Sequence, residues 1–505
     1  MAMAAPANFG VSLQTLLRGL DVDVPEVDCT VTGLTLDSSR VQPGDLFLAL
    51  EGQRVHGLDY VDEALSRGAI AVLYQPTMRR PAGPVRDVPF IPLADLPRHV
   101  SVIAARFFGE PARDLTVIGV TGTNGKTTCS HLLAQTLADG ERGCGLLGTL
   151  GYGVLPNLDE GVHTTPDAIG VQSWLARFRQ QRLQFVAMEV SSHALAQQRV
   201  AAVPFDTAVF TNLSRDHLDY HEHMDAYFLA KRRLFEREGL RIAVINGQDP
   251  RAGDIRQVLP STCRCVYFGT GSRPTLPSGV DYVWAEHVAP SSMGLDVKGV
   301  SSWGAFDLRV PLVGRFNAMN VVAVLAVLLT QDVSLDQALA RLEGVAPAPG
   351  RMERHGGGDR PQVIVDYAHT PDALRQALQA SRDHTAGTLR CVFGCGGDRD
   401  RGKRAEMGRI AAELANELVI TDDNPRNESP ERIVADICAG VVAGSLVAVE
   451  HDRRLAIHRA IEGSAVGDVI LVAGKGHENY QLVGDQRMEF SDAAVVEAAL
   501  RGWRP

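Results

Sequence analysis

The stretch GVTGTNGKTT, residues 119–128, ends in the Gly-Lys-Thr of a phosphate-binding loop. It completes the apolar run LTVIGV and leads into the helical run TTCSHLLAQTLAD, which is the strand–loop–helix context of such loops. Lys126 can reach the β- and γ-phosphates of a nucleotide, and Thr127 can offer its hydroxyl to Mg²⁺. The alternative is a glycine-rich turn between a strand and a helix. The residues that we predict to bind nucleotide here are Gly122, Thr123, Asn124, Gly125, Lys126, Thr127 and Thr128.

The spacing of this loop differs from the common one. Val120 stands where the common loop has its first glycine, so we expect a loop of different length with Gly119 and Gly122 on either side. Gly122 and Gly125 let backbone N–H groups face phosphates without an intervening Cβ. The N-terminus of the following helix adds a favourable dipole for an anion.

The bulk composition limits the classes of function. With 505 residues, the chain is long enough for roughly three domains of about 150 residues. The net charge of -10 disfavours a nucleic-acid partner, which would require a basic face. The N-terminus has no secretory signal pattern, and the most apolar run, VVAVLAVLL, is far shorter than the ~18 residues of a membrane span. The eight cysteines lack zinc spacing, so we expect reduced thiols in a cytoplasmic protein without membrane insertion.

Patterns along the chain predict an α/β protein of three domains. Residues 1–111 alternate short apolar runs with turns, followed by a helical pattern, and predict a small α/β domain. Residues 112–348 alternate strands such as FVAMEV, TAVFTNL and RIAVIN with helices, which predicts a parallel sheet. Within them, residues 271–313 favour a β-rich antiparallel appendage. Residues 349–505 contain five further strand–helix repeats and predict a Rossmann-like, doubly wound domain.

Acidic and histidine residues follow two of the predicted strands. Glu189 ends the apolar strand of FVAMEVSSH, where a buried carboxylate is costly unless a cation accompanies it. Asp216, His217, Asp219 and His221 follow the next strand, and alone they could form a solvated loop. Beside a nucleotide loop they favour Mg²⁺, which prefers oxygen ligands and shares substrate phosphates.

The motifs GTNGKTT, EVSSH, DHLDYH and YFLAKRRLF together resemble those of the Mur ligases, the ATP-dependent enzymes that add amino acids to the peptidoglycan precursor. The resemblance covers nearly the whole chain, with further motifs in the family's order. These further motifs are DSSRVQPGDLF, GRFNAMN, APGRMER, DYAHTPDAL, GCGGDRDRGKR, DDNPRNESP and AGKGHENYQ. The last four of the seven resemble the motifs of the family members that add diaminopimelate.

The resemblance implies a reaction and three substrates. The γ-carboxylate of D-glutamate in UDP-MurNAc-L-Ala-D-Glu attacks the γ-phosphate of ATP and forms an acyl phosphate. The amine of meso-2,6-diaminopimelate then displaces phosphate. The protein's contribution is positioning and charge neutralisation. Thr127 and Glu189 match the family's ligands of one Mg²⁺, and His217 matches a ligand of a second.

Lys231 has an unusual implied role. An ammonium group cannot bind Mg²⁺, but the resemblance implies that CO₂ carbamylates this lysine and turns it into a carboxylate-like metal ligand. The sequence itself shows a lysine in a basic helical run, which is typical of a solvated helix face. The implied catalytic residues are Lys126, Glu189, His217 and Lys231.

The resemblance also implies contacts to the UDP-dipeptide. Arg199 is a plausible partner for a substrate carboxylate, although a surface arginine and a capping threonine pair are the alternatives. The sequence reads DSSR where the family usually has DSR, which leaves the register of Ser38 against Ser39 open. The implied uridine contacts are Leu36 and Ser39, and the implied sugar-peptide contacts are Thr164, Thr165, Ser191, Gln197 and Arg199.

The last region carries implied nucleotide and amino-acid contacts. They fall largely at carboxyl ends of predicted strands, where open α/β sheets bind ligands. Helix capping and a surface arginine are the alternatives for the nucleotide set. That set is Asn317, Arg351, Asp366 and His369, and the diaminopimelate set is Arg399, Asp423, Asn424, Pro425, Arg426, Gly474 and Glu478.

Three rival functions remain. A folylpolyglutamate synthetase-like ligase would lack the N-terminal uridine domain and the DNPR loop. A lysine-adding relative would be expected to lack Arg426, because lysine has no distal carboxylate to pair with it. A phosphate-loop switch or motor would hydrolyse ATP to move a partner. A ligase should release phosphate only when UDP-dipeptide and amino acid are both present. We expect this ligase to be a monomer.

Overall fold

The computed structural model of the chain describes residues 10–22, 28–52, 55–76, 88–140, 142–291 and 294–504. The chain divides into two compact units, Met1–Val266 and Tyr267–Pro505. The predicted domain boundaries after residues 111 and 348 therefore stay predictions.

The first unit begins with a small parallel sheet. Its strands lie in the order β3-β4-β5-β6, and β1 pairs with β2 in antiparallel fashion. Leu46 and Leu48 face one core, whereas Phe47 and Ala49 face the other, as the alternation of side chains along a strand requires. The predicted α/β character of this region is confirmed. Its elements are β1 (Val11–Ser12), α1 (Leu13–Leu17), β2 (Thr30–Val31), β3 (Gly33–Thr35), β4 (Asp45–Ala49), α2 (Val61–Ser66), β5 (Ala71–Tyr74), β6 (Phe90–Pro92) and α3 (Leu96–Phe107).

The remainder of the first unit is built on a larger sheet with a parallel centre. Its elements are β7 (Thr116–Thr121), α4 (Lys126–Leu137), β8 (Cys144–Gly148), β9 (Gly151–Val154), β10 (Asn157–Asp159), α5 (Ala168–Gln180), β11 (Phe185–Glu189), α6 (Ser192–Ala196), β12 (Thr207–Phe210), α7 (Leu218–His221), α8 (Met224–Arg232), β13 (Ile242–Asn246), α9 (Ala252–Gln257) and β14 (Arg264–Thr270). The strand order in this part of the sheet is β10-β9-β8-β11-β7-β12-β13-β14, and β14 begins in the first unit and ends in the second.

The central strand of this sheet positions the candidate site. β7 lies between β11 and β12, and all three run parallel. Val117, Ile118 and Val120 are fully buried, which is the near-continuous apolar pattern of a strand covered on both faces. Because parallel strands end at the same edge, the loops after β7, β11 and β12 meet there.

The second unit opens with the predicted antiparallel appendage, which is confirmed. β15 pairs with β16, and β16 pairs with β17, in antiparallel fashion. The apolar run VVAVLAVLL lies within α10 and is buried all round, so it forms a core helix. Among the described residues, no helix combines the length and the apolarity needed to cross a membrane. The elements are β15 (Asp281–Ser291), β16 (Gly294–Ser301), β17 (Gly304–Val310), α10 (Phe316–Thr330) and α11 (Leu335–Glu343).

A doubly wound sheet completes the second unit, as predicted. Its strand order is β18-β19-β23-β20-β21-β22, and every strand except β18 is parallel to its neighbours. Helices cover both faces, and all four residues of the edge strand β22 are exposed. The elements are β18 (Glu353–Gly356), β19 (Gln362–Asp366), α12 (Pro371–Arg382), β20 (Leu389–Phe393), α13 (Gly402–Leu414), β21 (Glu417–Ile420), α14 (Pro430–Cys438), β22 (Leu446–Val449), α15 (Arg453–Glu462), β23 (Val469–Ala473), β24 (Tyr480–Val483), β25 (Gln486–Glu489) and α16 (Asp492–Gly502).

Candidate active site

The phosphate loop connects β7 to α4 and depends on glycine at two positions. Gly122 has φ +149°, and a Cβ there would come within 1.9 Å of Thr211 Oγ1. Gly125 has φ +85° and immediately precedes α4. Lys126 Nζ donates to the carbonyl oxygens of Gly122 and Thr123 at 2.9 and 2.8 Å. The lysine therefore curls back over its own loop, with its charge beside the helix N-terminus that favours anions.

Residues after β12 hold the phosphate loop in shape. The backbone N–H of Thr123 donates to Asn212 O at 2.9 Å, and that of Asn124 donates to Asn212 Oδ1 at 3.0 Å. Thr211 Oγ1 donates to Asn124 O at 2.6 Å. The hydroxyls of Thr123 and Tyr227 lie 3.2 Å apart. Sequence reasoning did not single out Thr211, Asn212 or Tyr227, although a polar Thr-Asn pair directly after an apolar strand was a usable signal.

Glu189 lies beside Thr127, the residue with which it is predicted to bind one Mg²⁺. The carboxylate is 1% exposed and accepts a hydrogen bond from Thr127 Oγ1 at 3.0 Å. It also accepts from the backbone N–H of Thr149 at 2.8 Å and from its hydroxyl at 3.1 Å. A Cβ on Gly148 would lie 2.4 Å from Glu189 Oε1, so glycine leaves room for the carboxylate.

The donor set at Thr127 and Glu189 fits Mg²⁺. It supplies a hydroxyl and a carboxylate, the hard oxygen ligands that this ion prefers. Within the described part of the chain, no group of three or more His, Cys, Asp or Glu side chains could hold a metal by itself.

Lys231 lies inside the protein and not on a solvated helix face. It is 1% exposed, its Nζ donates to Gly122 O at 2.7 Å, and it lies 4.3 Å from the centroid of the Tyr227 ring. Burial and the nearby Lys126 ammonium hold the pKa of Lys231 well below its usual range, against the opposing effect of Asp216. The sequence-based alternative of a solvated face is therefore wrong for this residue.

His217 lies at the mouth of the same region. Its φ is +54°, its side chain is 44% exposed, and its Nε2 lies 3.5 Å from Asp216 Oδ2. Burial lowers the pKa of His217, and the charges of Lys126 and Lys231 lower it further, whereas Asp216 raises it. The His217 ring lies 6.0 Å from the Tyr227 ring, between centroids, and the Tyr227 hydroxyl contacts Thr123 of the phosphate loop.

Two further histidines, His193 and His221, lie near His217. The His193 ring lies 4.9 Å from that of His217 and 5.5 Å from that of His221, between ring centroids. Burial is the main cause that lowers the pKa of His193 and of His221 to about 4. His221 is tied to Ser192 Oγ at 2.9 Å, while Asp219 is exposed. Sequence reasoning did not assign a role to His193, although it quoted the SSH motif that contains it.

The predicted sugar-peptide contacts surround the end of β11. Thr165 Oγ1 donates to Glu189 O at 2.8 Å and accepts from the backbone N–H of Ser191 at 3.0 Å. The hydroxyls of Thr164 and Thr149 lie 3.1 Å apart. This threonine pair is thus joined directly to the backbone and side chains that hold Glu189.

Arg199 is half-buried and bonded to neutral oxygens. Its guanidinium donates to Thr165 O at 2.9 Å and to Gln197 Oε1 at 2.9 and 2.6 Å. Gln197 in turn donates to Tyr220 Oη at 3.2 Å. Burial lowers the pKa of Arg199, and the carboxylate of Asp167 opposes that effect. The arginine keeps its charge in a partly desolvated place, which suits a substrate carboxylate.

The N-terminal region distinguishes the two adjacent serines. Ser38 is buried and its hydroxyl donates to Glu63 Oε2 at 2.7 Å. Ser39 is exposed, and its hydroxyl and backbone N–H both donate to Asp37 Oδ1, at 2.7 and 3.0 Å. Leu36 lies half-buried in the same segment. Both hydroxyls are bonded within the chain, so it is the difference in exposure that favours Ser39 as the serine available to a ligand.

In the second unit, the predicted nucleotide residues occupy local polar networks. Asn317 Nδ2 donates to Val313 O at 2.7 Å, and its Oδ1 accepts from Asn320 at 2.8 Å, so its amide is engaged at the start of α10. Asp366 accepts the backbone N–H groups of Met352 and Ala368, both at 2.8 Å.

Two further members of this set lie around one tyrosine ring. The Arg351 guanidinium lies 4.4 Å from the ring centroid of Tyr367, and His369, which is exposed, lies 4.6 Å from it. Burial raises the pKa of Asp366, and Arg351 opposes that rise.

The predicted amino-acid residues gather after β21 and β23. Asn424 Nδ2 donates to Glu478 Oε2 at 2.9 Å. Gly474 has φ +116°, and a Cβ there would lie 2.6 Å from Asp423 Oδ2. The four residues therefore form one polar cluster at the carboxyl end of the sheet.

Arg426 links the loop after β21 to the loop after β20. Its Nη1 donates to Gly397 O at 2.8 Å, and its backbone lies at φ +52°. A Cβ on Gly397 would lie 1.9 Å from Pro425 O, so these two loops touch. Arg399 is exposed in the loop after β20.

Two cations behind this cluster were not predicted. Lys475 is fully buried and bonded to Asn424 and Glu478. Arg404, also fully buried, makes two hydrogen bonds to Glu428 at 2.8 and 2.7 Å. Both lie within motifs that the sequence analysis quoted, but their long side chains suggest solvent exposure until their partners are known.

Family models match three parts of the chain. The Mur ligase family, catalytic domain, matches residues 30–108, and the Mur ligase middle domain matches residues 120–328. The Mur ligase, glutamate ligase domain, matches residues 350–476. The second match begins at Val120 near the end of β7, and so includes the phosphate loop, Glu189, His217 and Lys231.

Individual relatives match almost the full length. A protein of Coxiella burnetii is 45% identical over 94% of this chain and 96% of its own, and one of Alkalilimnicola ehrlichii is 47% identical over 97% and 98%. Both are named UDP-N-acetylmuramoyl-L-alanyl-D-glutamate--2,6-diaminopimelate ligase. A solved structure of a ligase with that name is 35% identical, covers 98% of this chain and 99% of its own, and superposes with a TM-score of 0.71. Because these family models cover most of the chain and relatives of 45% and 47% identity match nearly its full length, the chain belongs to the Mur ligase family.

Proposed function

We propose that this protein is an ATP-dependent ligase that joins meso-2,6-diaminopimelate to the D-glutamate γ-carboxylate of UDP-MurNAc-L-Ala-D-Glu, a step of peptidoglycan precursor synthesis. The observation that carries the proposal is the convergence of Lys126, Thr127 and Glu189 at the carboxyl ends of β7 and β11. The names of relatives that match the chain along nearly its whole length support the choice of substrates.

The reaction needs an activated carboxyl group. A carboxylate is a poor acylating agent, because oxide would have to leave. Attack of the γ-carboxylate oxygen on the γ-phosphorus breaks the bond to ADP and gives an acyl phosphate. The diaminopimelate amine then attacks the carbonyl carbon, the carbon–oxygen bond to phosphate breaks, and the amine loses a proton to yield the amide.

The chain's own groups act mainly by placing charge. Lys126, already held over the loop by the carbonyls of Gly122 and Thr123, offers its ammonium to the γ-phosphate. The N-terminus of α4 adds its dipole at the same place. Arg199 offers a partly desolvated guanidinium to a carboxylate of the dipeptide.

Thr127 and Glu189 would hold one Mg²⁺, and His217 with a carbamylated Lys231 would hold a second. When bound, Mg²⁺ neutralises phosphate charge during transfer. Glu189 is kept in place for this role by both hydrogen bonds from Thr149.

The carbamate on Lys231 is supported by where the lysine lies. A neutral lysine amine adds to CO₂ and releases a proton, which leaves a carboxylate-like anion on the side chain. Lys231 is buried beside Lys126, a setting that favours an anion over a second ammonium. The new oxygens would lie next to the phosphate loop, because Nζ already contacts Gly122 O.

The remaining assignments follow the same scheme. Residues 1–111 hold the UDP end through Leu36 and Ser39, and residues 349–505 hold the amino acid. We also propose that the nucleotide is contacted by Asn317, Arg351, Asp366 and His369. We propose that the enzyme acts in the cytoplasm, where ATP and UDP-linked substrates are available, and that it is a monomer.

The test measures phosphate release and product mass. The protein is incubated with ATP and Mg²⁺, with each of the other substrates singly and together, and with lysine in place of diaminopimelate. We expect phosphate only when UDP-dipeptide and amino acid are both present, and a product mass that corresponds to diaminopimelate addition. ATP hydrolysis that does not depend on UDP-dipeptide or amino acid would indicate a switch or motor. A lysine adduct that forms as readily as the diaminopimelate adduct would refute the choice of diaminopimelate.

A further inference from the structure

Lys475 is a fully buried lysine directly after β23, behind the predicted amino-acid contacts. It is 0% exposed, which is rare for a lysine unless its charge is paired. Its Nζ donates to Asn424 Oδ1 at 3.0 Å and to Glu478 Oε2 at 2.9 Å, and lies 3.9 Å from Asp423 Oδ1. One ammonium thus organises three of the residues assigned to the amino acid.

The bond to Asn424 fixes the orientation of its amide. Asn424 Oδ1 also accepts the backbone N–H of Leu482 at 2.9 Å. Because both neighbours of this oxygen are donors, the amide nitrogen must point the other way. It donates to Glu478 Oε2 at 2.9 Å.

The result is an asymmetric carboxylate on Glu478. Its Oε2 accepts from both Asn424 and Lys475, and within the described part of the chain its hydrogen bonds all end on that oxygen. Glu478 Oε1 therefore keeps its acceptor capacity. A carboxylate oxygen held in this way, with a second carboxylate on Asp423 nearby, suits an ammonium group.

We infer that Lys475 is a positioning residue that orients Asn424 and Glu478 to receive an ammonium group of the incoming amino acid. The inference rests on the proposed function. Without the lysine charge, the largely buried carboxylates of Asp423 and Glu478 would repel each other, and Glu478 would lose one of its two anchors. Lys475 itself stays behind these side chains, so it acts through them.

Arg390 provides a matched control in the same sheet. It is also a buried cation, with bonds to Glu417 Oε2 at 2.6 Å and to Asp468 Oδ2 at 2.8 Å. It lies near the amino end of β20, whereas Asn424 and Lys475 follow the carboxyl ends of their strands. Arg390→Met therefore removes a buried charge from the fold without touching the amino-acid cluster.

The experiment compares steady-state kinetics of the full chain with Lys475→Met, Lys475→Gln and Arg390→Met. The KM for diaminopimelate should rise at least about tenfold in Lys475→Met, the loss expected for one charge-assisted hydrogen bond, and less in Lys475→Gln, which retains a donor. The KM values for ATP and UDP-dipeptide should stay within about twofold of wild type. Arg390→Met should lower the Tm and leave the KM for diaminopimelate unchanged.

An unchanged KM for diaminopimelate in a folded Lys475→Met protein would overturn the inference, as would a parallel rise of all three KM values. Failure of both Lys475 variants to fold would assign the lysine to the fold alone and overturn it as well. A wild-type protein that does not use diaminopimelate would instead refute the proposed function, so the two failures are distinguishable.

Discussion

At the residue scale, Lys126 is the group on which phosphate transfer depends most directly. Its ammonium is held by two carbonyls of its own loop. We expect Lys126→Ala to lose about 10²–10³ in kcat, which corresponds to the ~3 kcal/mol typical of one donor to transition-state charge. Phosphate release under saturating substrates measures the loss.

The matched control for that change is Lys298→Ala, which removes an exposed lysine paired with Asp307 at 2.8 Å. It should leave turnover unchanged. A folded Lys126→Ala protein with near-normal turnover would remove the phosphate-loop assignment.

Lys231 gives a second prediction at this scale. Lys231→Ala should lose activity, and short carboxylic acids should restore part of it, because the missing group is an oxygen donor and not an ammonium. Removal of the Lys231 side chain takes away its contacts with Gly122 and Tyr227, and we expect the added acid to bind in the space that it occupied. Turnover is measured against added acetate. Full activity of Lys231→Arg would contradict the carbamate, since a guanidinium cannot form it.

Arg426 gives the third. Its planar fork suits the distal carboxylate by which diaminopimelate differs from lysine. Loss of one partner of a buried charged pair costs about 2–5 kcal/mol, so Arg426→Ala should weaken kcat/KM for diaminopimelate roughly 30-fold or more. Use of ATP and UDP-dipeptide should change far less.

Arg432, an exposed arginine in α14, is the control for Arg426. Arg432→Ala should behave as wild type with both amino acids. Equal use of diaminopimelate by wild type and Arg426→Ala would remove the basis for selectivity while leaving the ligase reaction intact.

Residues whose chemistry is local could be predicted, and residues whose role depends on distant partners could not. Lys126 and Thr127 follow from the loop motif, and Glu189 follows from a carboxylate at the end of an apolar strand. Thr211 acts on Asn124, 87 positions earlier in the chain, so its place after an apolar strand can mark it as a candidate but cannot identify its partner. The role of Lys475 could not be predicted for the same reason, since its partner Asn424 lies 51 positions away.

At the scale of elements, α13 is tied to the loop after β21 by an ion pair. Arg404 on α13 is fully buried, and its guanidinium holds the pKa of Glu428 at about 2, below the ordinary 4.5. A lowered pKa in the folded state means that the carboxylate stabilises the protein above about pH 4.5 and loses that effect as the pH falls toward 2. Glu428→Gln should therefore have a lower Tm than wild type at pH 7, with a difference that shrinks on acidification.

Calorimetry between pH 7 and about pH 3 checks this prediction. Glu406→Gln, on the exposed side of α13, is the control and should leave the Tm profile unchanged. A Tm difference for Glu428→Gln that stays constant as the pH falls would contradict the assigned pKa shift.

Long apolar strands were the elements that the sequence predicted best. Runs such as LTVIGV and FVAMEV are buried on both faces and became β7 and β11. β18 and β25 were not predicted, because ERHG and QRME have no apolar alternation. Their pairing depends on a neighbouring strand supplied by the fold.

At the scale of the whole molecule, the α/β class and the doubly wound C-terminal sheet were predictable from repeated strand–helix patterns. The strand order was not. β23, the last parallel strand in the chain, inserts between β19 and β20, which precede it by dozens of residues. Local periodicity carries no information on which strands become neighbours, since that choice is made by packing across the sheet.

The net charge of -10 predicts that copies of the chain repel one another at low salt. We therefore expect sedimentation to give the mass of a single 505-residue chain. The exposed edge strand β22, with Leu446 and Val447, is the feature that could oppose this outcome. A dimer that Val447→Lys dissociates would contradict the prediction and would place the contact at that edge.

The hydrogen bonds between the phosphate loop and α8 affect how the protein folds during its synthesis. Gly122 O accepts from Lys231, 109 positions later, and the hydroxyl of Thr123 meets Tyr227, 104 positions later. Closing segments of that length carries an entropic cost that local contacts of the loop do not offset. During synthesis, the loop emerges from the ribosome well before the helix that completes it. The nascent chain therefore has the nucleotide motif long before it has a nucleotide site, and ATP can help the domain to fold only after α8 has been translated.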